Sequence, residues 1–147
     1  MKNASGISIK EVDTAEELKQ AQAIRVKVLE SEQGFPHDVN VDGLDESADH
    51  VLILDDGVPV ATARLTVLGS GEGKIARIAV LQSHRWLGLG KRLIGGLEGV
   101  AKRRRLRTLH VEPHAHLEPF FRALVYERTT EPVKVGPHRL LGMVKRL

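Results

Sequence analysis

The feature that most constrains this chain is a change of hydrophobic period across residues 82–87. Before it, residues 50–54, 59–68 and 74–81 read as strands, separated by the turn signals Asp55-Asp56-Gly57 and Gly69-Ser70-Gly71-Glu72-Gly73. After it, residues 88–105 place Leu89, Leu93, Leu97, Val100 and Ala101 on one face of a helix and Lys91, Arg92, Glu98 and Lys102 on the other. A short strand over residues 107–111 follows. A strand, a helix and a second strand make a right-handed crossover, which sets the second strand parallel to the first. An antiparallel meander must therefore be extended by one parallel strand.

The rest of the chain fits around this frame. Residues 6–12 form a strand through Ile7, Ile9 and Val12. Asp13 or Thr14 then caps a helix that runs to about residue 30, with Glu16 and Glu17 where its dipole favours anions. Leu18, Ala21, Val28 and Leu29 make its apolar face, and Arg25 falls inside that face. Residues 31–49 have no period and gather Gly34, Pro36, Gly43 and many acids, the composition of a long functional loop. Residues 117–126 read as a second amphipathic helix and residues 138–145 as a closing strand. The order is β-α-β-β-β-α-β-α-β, an α/β fold in which helices cover a mixed, mostly antiparallel sheet. A chain of 147 residues is the size of one domain. The closing strand would leave a sheet edge through which a homodimer could pair.

Composition removes several function classes. With no cysteine, thiolate catalysis and thiolate metal sites are excluded, and a reducing cytoplasm is the expected setting. No apolar run reaches the roughly 20 residues that span a bilayer, and Met1-Lys2-Asn3-Ala4-Ser5 does not read as a signal peptide, so no membrane partner is expected. Net charge is +3, and the basic run Lys102-Arg103-Arg104-Arg105 suits a solvated helix C-terminus. Aromatic residues are 3% of the chain, too few for base-stacking platforms, and nucleic acid is not an expected partner.

The segment at the change of period is Gln82-Ser83-His84-Arg85-Trp86-Leu87-Gly88-Leu89-Gly90-Lys91. Two glycines at a helix start admit close backbone approach, and the first helical turn offers unpaired N–H groups at the positive end of the dipole. Arg85 and Lys91 add charge. The segment is neither a Walker loop nor a full dinucleotide fingerprint, and spacing alone leaves a pyrophosphate site and a plain tight turn both open.

Arg85-Trp86-Leu87-Gly88-Leu89-Gly90 resembles the Arg/Gln-x-x-Gly-x-Gly/Ala motif of the GNAT acetyltransferases. Ile78-Ala79-Val80 resembles the strand before that motif, and Ala115 to Tyr126 its late helix. The stretch from Arg25 to Asp45, with Glu32-Gln33 and Pro36, is similar to the ElaA-type branch. Val135-Gly136-Pro137-His138 is similar to that branch and to the glyphosate N-acetyltransferases. The resemblance implies acetyl-CoA as co-substrate, lying in a split between the strands at 74–81 and 107–111, and a small-molecule amine as acceptor. It implies diphosphate contacts from the amides of Leu87 to Lys91 and pantetheine contacts from Ile78, Ala79 and Val80. Phe120 and Phe121 would flank the cofactor, and an N–H near Val80 would face the developing oxyanion.

The same resemblance makes His138 the first candidate for general base and Glu32, acting through water, the second; a surface histidine and a solvated acid are the plainer readings. Phe121 stands where many members carry a tyrosine thought to protonate the leaving sulfur, and Leu124-Val125-Tyr126 replaces the usual Leu-Gly-Phe. Without that tyrosine, a catalytically quiet acyl-CoA-binding module is the alternative function. His110, Glu112, His114 and His116 alternate, which is metal-like spacing, but Pro113 interrupts them; no metal is expected, and His114 and His116 are expected to line the acceptor pocket. Arg25, Arg64 and Arg77 are candidates to grip an acidic substrate group, with neutralisation by Asp42, Asp45 or Glu46 as the competing reading.

Overall fold

A computed structural model describes residues 6–147; the reading of Met1 to Ser5 lies outside the described residues. Strand β1 (Ile7–Glu11) pairs antiparallel with β2 (Asp49–Asp55), β2 with β3 (Val58–Gly69) and β3 with β4 (Glu72–Val80). The β2–β3 hairpin turns at Asp56 and Gly57, both with positive φ, as the Asp-Gly signal requires. Helix α3 (Leu89–Arg103) crosses over to β5 (Thr108–Val111), which lies parallel to β4. Leu89, Leu93, Leu97, Val100 and Ala101 are buried as the periodicity predicts, joined by Ile94, and they pack on Val51, Ile53, Leu65, Ile75 and Leu109 of the sheet.

Helix α1 (Ala15–Arg25) is capped by Thr14, whose hydroxyl accepts from the Glu17 N–H while the Glu17 carboxylate accepts from the Thr14 N–H. Its winding loosens to a π-helix over Val26–Glu32, so the expected single helix changes pitch at Val26. Ala21, Ile24, Val28 and Leu29 cover the opposite face of the sheet at Leu52 and Ala79. The acidic loop holds a short helical turn, α2 (His37–Asn40), and a 3-10 turn at Asp45–Ser47.

The C-terminal third departs from expectation. The late helix is short, α4 (Glu118–Ala123), and Val125, two residues past its end, adopts φ 73. The expected closing strand is two strands. β8 (His138–Leu140) forms a separate hairpin with β7 (Val133–Val135), and β9 (Met143–Arg146) pairs antiparallel with β5. The dipeptide Gly136-Pro137 between β7 and β8 was the available turn signal. β6 (Glu127–Arg128) covers the other side of β9, so the closing strand is not the free edge through which a dimer was expected to pair. Among the described residues no helix is long and apolar enough to cross a membrane.

Candidate active site

The parallel pairing of β4 with β5 stops at Ile75↔Val111, while β4 stays bound to β3 as far as Val80. Two causes separate the strands. Pro113 follows β5, and β4 carries a bulge at Arg77, which adopts φ 55 and shifts the β3–β4 register between Thr62 and Arg64. One edge of β4 is left open over residues 76–80. Leu81 donates its N–H to the Val60 carbonyl, so by strand alternation the backbone groups of Val80 and Ile78 turn to the open edge and those of Ala79 to β3. A cavity of about 490 Å³ occupies the split, lined among others by Ile78, Val80, Arg85, Gly90, Phe120 and Phe121.

The open edge leads into the start of α3. Gly88, at φ 76, takes the left-handed conformation that turns the chain into the helix, and no side chain caps the first turn. No hydrogen bond among the described residues takes up the N–H groups of Leu87, Gly88, Leu89, Gly90 or Lys91. Five consecutive amides at and just before the positive end of a 15-residue helix are thus left without a partner among the described residues. Upstream, His84 Nε2 meets Asp55 Oδ2 at 2.7 Å and ties the preceding turn to β2. Trp86 is fully exposed.

Arg85 does not point away from the chain as a free cation. Its Nε and one terminal nitrogen donate to the Val80 carbonyl, each at 3.1 Å, and that nitrogen also donates to Glu32 at 2.7 Å. This holds Glu32 against Arg85, a residue of the cavity wall, paired instead of in open solvent. The contact joins the end of the π-helix to the strand edge, which sequence reasoning missed.

The structure separates the three candidate arginines. Arg25 and Arg64 are buried and do not line the cavity, contrary to the expectation that they contact substrate. Arg25 donates to Asp45 at 2.7 Å and to Asn40, and Arg64 to Asp42 at 2.8 Å and Asp45 at 3.1 Å. Burial pushes the Asp45 carboxyl up, but hydrogen bonds from Arg25 and Gln22 and the charge of Arg25 outweigh it and bring its pKa to about 2. The Arg64 hydrogen bond holds the Asp42 carboxyl far below the usual carboxylate range. Arg77 does line the cavity; its guanidinium ties the carbonyls of Val39 and Asn40 and the Asp42 carboxylate to β4. These cations fix the acidic loop as a wall of the cavity.

The histidines are also sorted. His110 pairs with Glu72 at 2.7 Å, and Glu112 pairs with Lys74, so the alternating set does not converge. His114 and His138 do meet, Nε2 to Nδ1 at 3.2 Å, because β8 bridges back to His114 at Leu140. His116 is exposed, its ring 5.7 Å from that of His114. The His138 ring stacks on Phe35 with centroids 3.9 Å apart and an interplanar angle of 14°. Phe35 belongs to the aperiodic loop and carries no sequence signal for this role.

Neither Phe121 in α4 nor Tyr126 beyond its end is placed to give a proton to the cleft. Phe121 has none to give. The Tyr126 hydroxyl donates to Glu98 at 2.8 Å, and burial and the neighbouring Glu98 carboxylate raise its pKa well above the ordinary range.

Comparison with known proteins agrees with this geometry. The family model described as "Acetyltransferase (GNAT) family" matches residues 14–124. A Bacillus subtilis (strain 168) protein whose name assigns it as an acetyltransferase is 30% identical over 140 residues, covering 92% of this chain and 95% of that protein. The crystal structure of Escherichia coli ElaA superposes with a TM-score of 0.85 at 21% identity, covering 95% of this chain and 99% of that one. A Pseudomonas aeruginosa acyl-CoA N-acyltransferase gives a TM-score of 0.85 at 25% identity over the same shares. The split sheet, the uncapped helix mouth after it and these matches together place the chain in the GNAT acetyltransferase family.

Proposed function

We propose that this chain moves an acetyl group from acetyl-CoA to the amine of a small acceptor by direct attack within a ternary complex. The observation that carries this reading is the continuity of the open β4 edge with the unoccupied amides of the α3 mouth. In the proposed reaction the amides of Leu87 to Lys91 bind the diphosphate, with Lys91 and Arg85 nearby. The open edge at Ile78 binds the pantetheine arm as an added strand would be bound, running past Val80, whose carbonyl already accepts from Arg85. Holding the remote nucleotide fixes the thioester against the acceptor, which is where the rate gain originates. The Val80 N–H, which turns to the open edge, donates to the oxyanion; one such donor is worth about 2.7–4 kcal/mol. Phe120 and Phe121 wall the cleft. A small-molecule amine enters from the side of Phe35, Arg77 and His114, in the cytoplasm, where acetyl-CoA is at hand.

The sulfur leaves as a thiolate, since no phenol faces it. A thiol with pKa near 8.5 permits this. The same observation favours a second reading, a quiet acyl-CoA-binding module. A panel of amines with acetyl-CoA separates the two, and free CoA can be followed with a thiol reagent because the chain has no cysteine of its own. Release of CoA with at least one amine is expected. Binding of acetyl-CoA with no turnover across the panel refutes transfer and leaves the binding module.

A further inference from the structure

We infer that His114, and not His138, takes the proton from the incoming ammonium, and that His138 is the positioning residue that holds His114 in the required tautomer. The inference rests on the acyl-transfer reading of the cavity. It follows by elimination among four ring nitrogens. His114 Nε2 and His138 Nδ1 are spent on each other at 3.2 Å. His138 Nε2 is buried with no hydrogen-bond partner. His114 Nδ1 alone is neither bonded nor sealed, and His114 lines the cavity whereas His138 does not.

Two neutral imidazoles that share one hydrogen bond must divide into a donor and an acceptor. When His114 Nε2–H donates to His138 Nδ1, the lone pair of His114 Nδ1 is left open to the cavity. The groups around His114 keep that lone pair available. His138 approaches from β8 and His116 from the same turn, Phe35 brings no charge, and the far wall offers Arg77, bound to Asp42, and the Lys74–Glu112 pair. Burial first, then the neighbouring His138 and His116, push the His114 pKa below the usual histidine range. The ring is therefore neutral and ready to accept at pH 7.

A primary amine enters largely as its ammonium, with pKa near 10. Its N–H proton passes to His114 Nδ1 and leaves the nitrogen lone pair free. That lone pair forms the N–C bond to the thioester carbonyl; the C–S bond then breaks with its electrons on sulfur, and the thiolate takes the second amine proton to become the CoA thiol. His114 returns its proton to water at the cavity mouth. During the cycle the added charge spreads to His138 through the shared proton, against the face of Phe35.

The test joins spectroscopy to kinetics on the full chain. Long-range proton–nitrogen NMR of the imidazoles should show His114 protonated at Nε2, bare at Nδ1, and titrating below 6.5. A His114 protonated at Nδ1, or one that titrates at or above 6.5, overturns the inference. With an amine that turns over, His114→Gln should lower kcat/KM by about a hundredfold or more and flatten its acid limb. His138→Asn, whose Oδ1 can still accept from His114, should stay within about threefold of wild type, while His138→Ala should lose about tenfold and shift the acid limb. A nearly active His114→Gln beside an inactive His138→Asn assigns the base to His138 instead. If acetyl-CoA binds and no amine reacts, acyl transfer itself fails, and the tautomer alone then judges the pairing.

Discussion

Asp45 joins two buried arginines, Arg25 on the apolar face of α1 and Arg64 on β3. Arg25 and Arg64 are 1% and 3% exposed, and among the described residues Arg25 has no other carboxylate bonded to it. Asp45→Asn keeps the shape of the side chain and removes the charge. Removing one partner of a buried pair costs about 3–5 kcal/mol, since the remaining charge stays desolvated. At this chain length a loss of that size lowers Tm by roughly 6–20 °C. The sign with pH is fixed by the direction of the shift. The folded pKa of about 2 lies below the ordinary 3.8, so the stabilisation is complete above about pH 4 and is lost as pH falls through 2. Urea unfolding of wild type and Asp45→Asn at several pH values should show a gap that is widest near neutrality and narrows between about pH 4 and pH 2. A gap under about 1 kcal/mol at pH 7, or one that does not change with pH, would refute the reasoning.

Two further outcomes follow from single contacts. Val125 is β-branched, holds φ 73 and is largely exposed, so Val125→Gly removes left-handed strain of about 1–3 kcal/mol against an entropic cost of about 0.5–1 kcal/mol; thermal unfolding should show a higher Tm, and a lower one would mean that the turn carries no strain. Glu32→Gln frees Arg85 from a half-exposed pair, so stability should change by less than about 1 kcal/mol while calorimetry shows CoA binding unchanged or a few-fold tighter; weaker binding would contradict the placement of Arg85 beside the diphosphate.

The central frame was legible because period and turn chemistry are local. The Asp55-Asp56-Gly57 turn, the α3 face and the parallel crossover needed no distant partner. The Thr14 cap could be foreseen for the same reason. What escaped the sequence depends on partners far along the chain. The Arg85–Glu32 contact spans 53 residues and His114–His138 spans 24, and no spacing rule encodes either. Arg25 shows the intermediate case. Its intrusion on an apolar face signalled that a partner was required, but only the folded loop shows that Asp45 fills the need and leaves nothing for substrate. Val125 shows the reverse, a left-handed turn made by a β-branched residue that local propensity argues against.

The claim beneath all of this is that the free amides at the mouth of α3 receive the diphosphate of coenzyme A. A crystal structure with acetyl-CoA tests it directly. Diphosphate oxygens should accept from the N–H groups of Leu87 to Lys91, and the pantetheine arm should run along Ile78 and Val80. An empty helix mouth, with the nucleotide bound elsewhere or not at all, would contradict it.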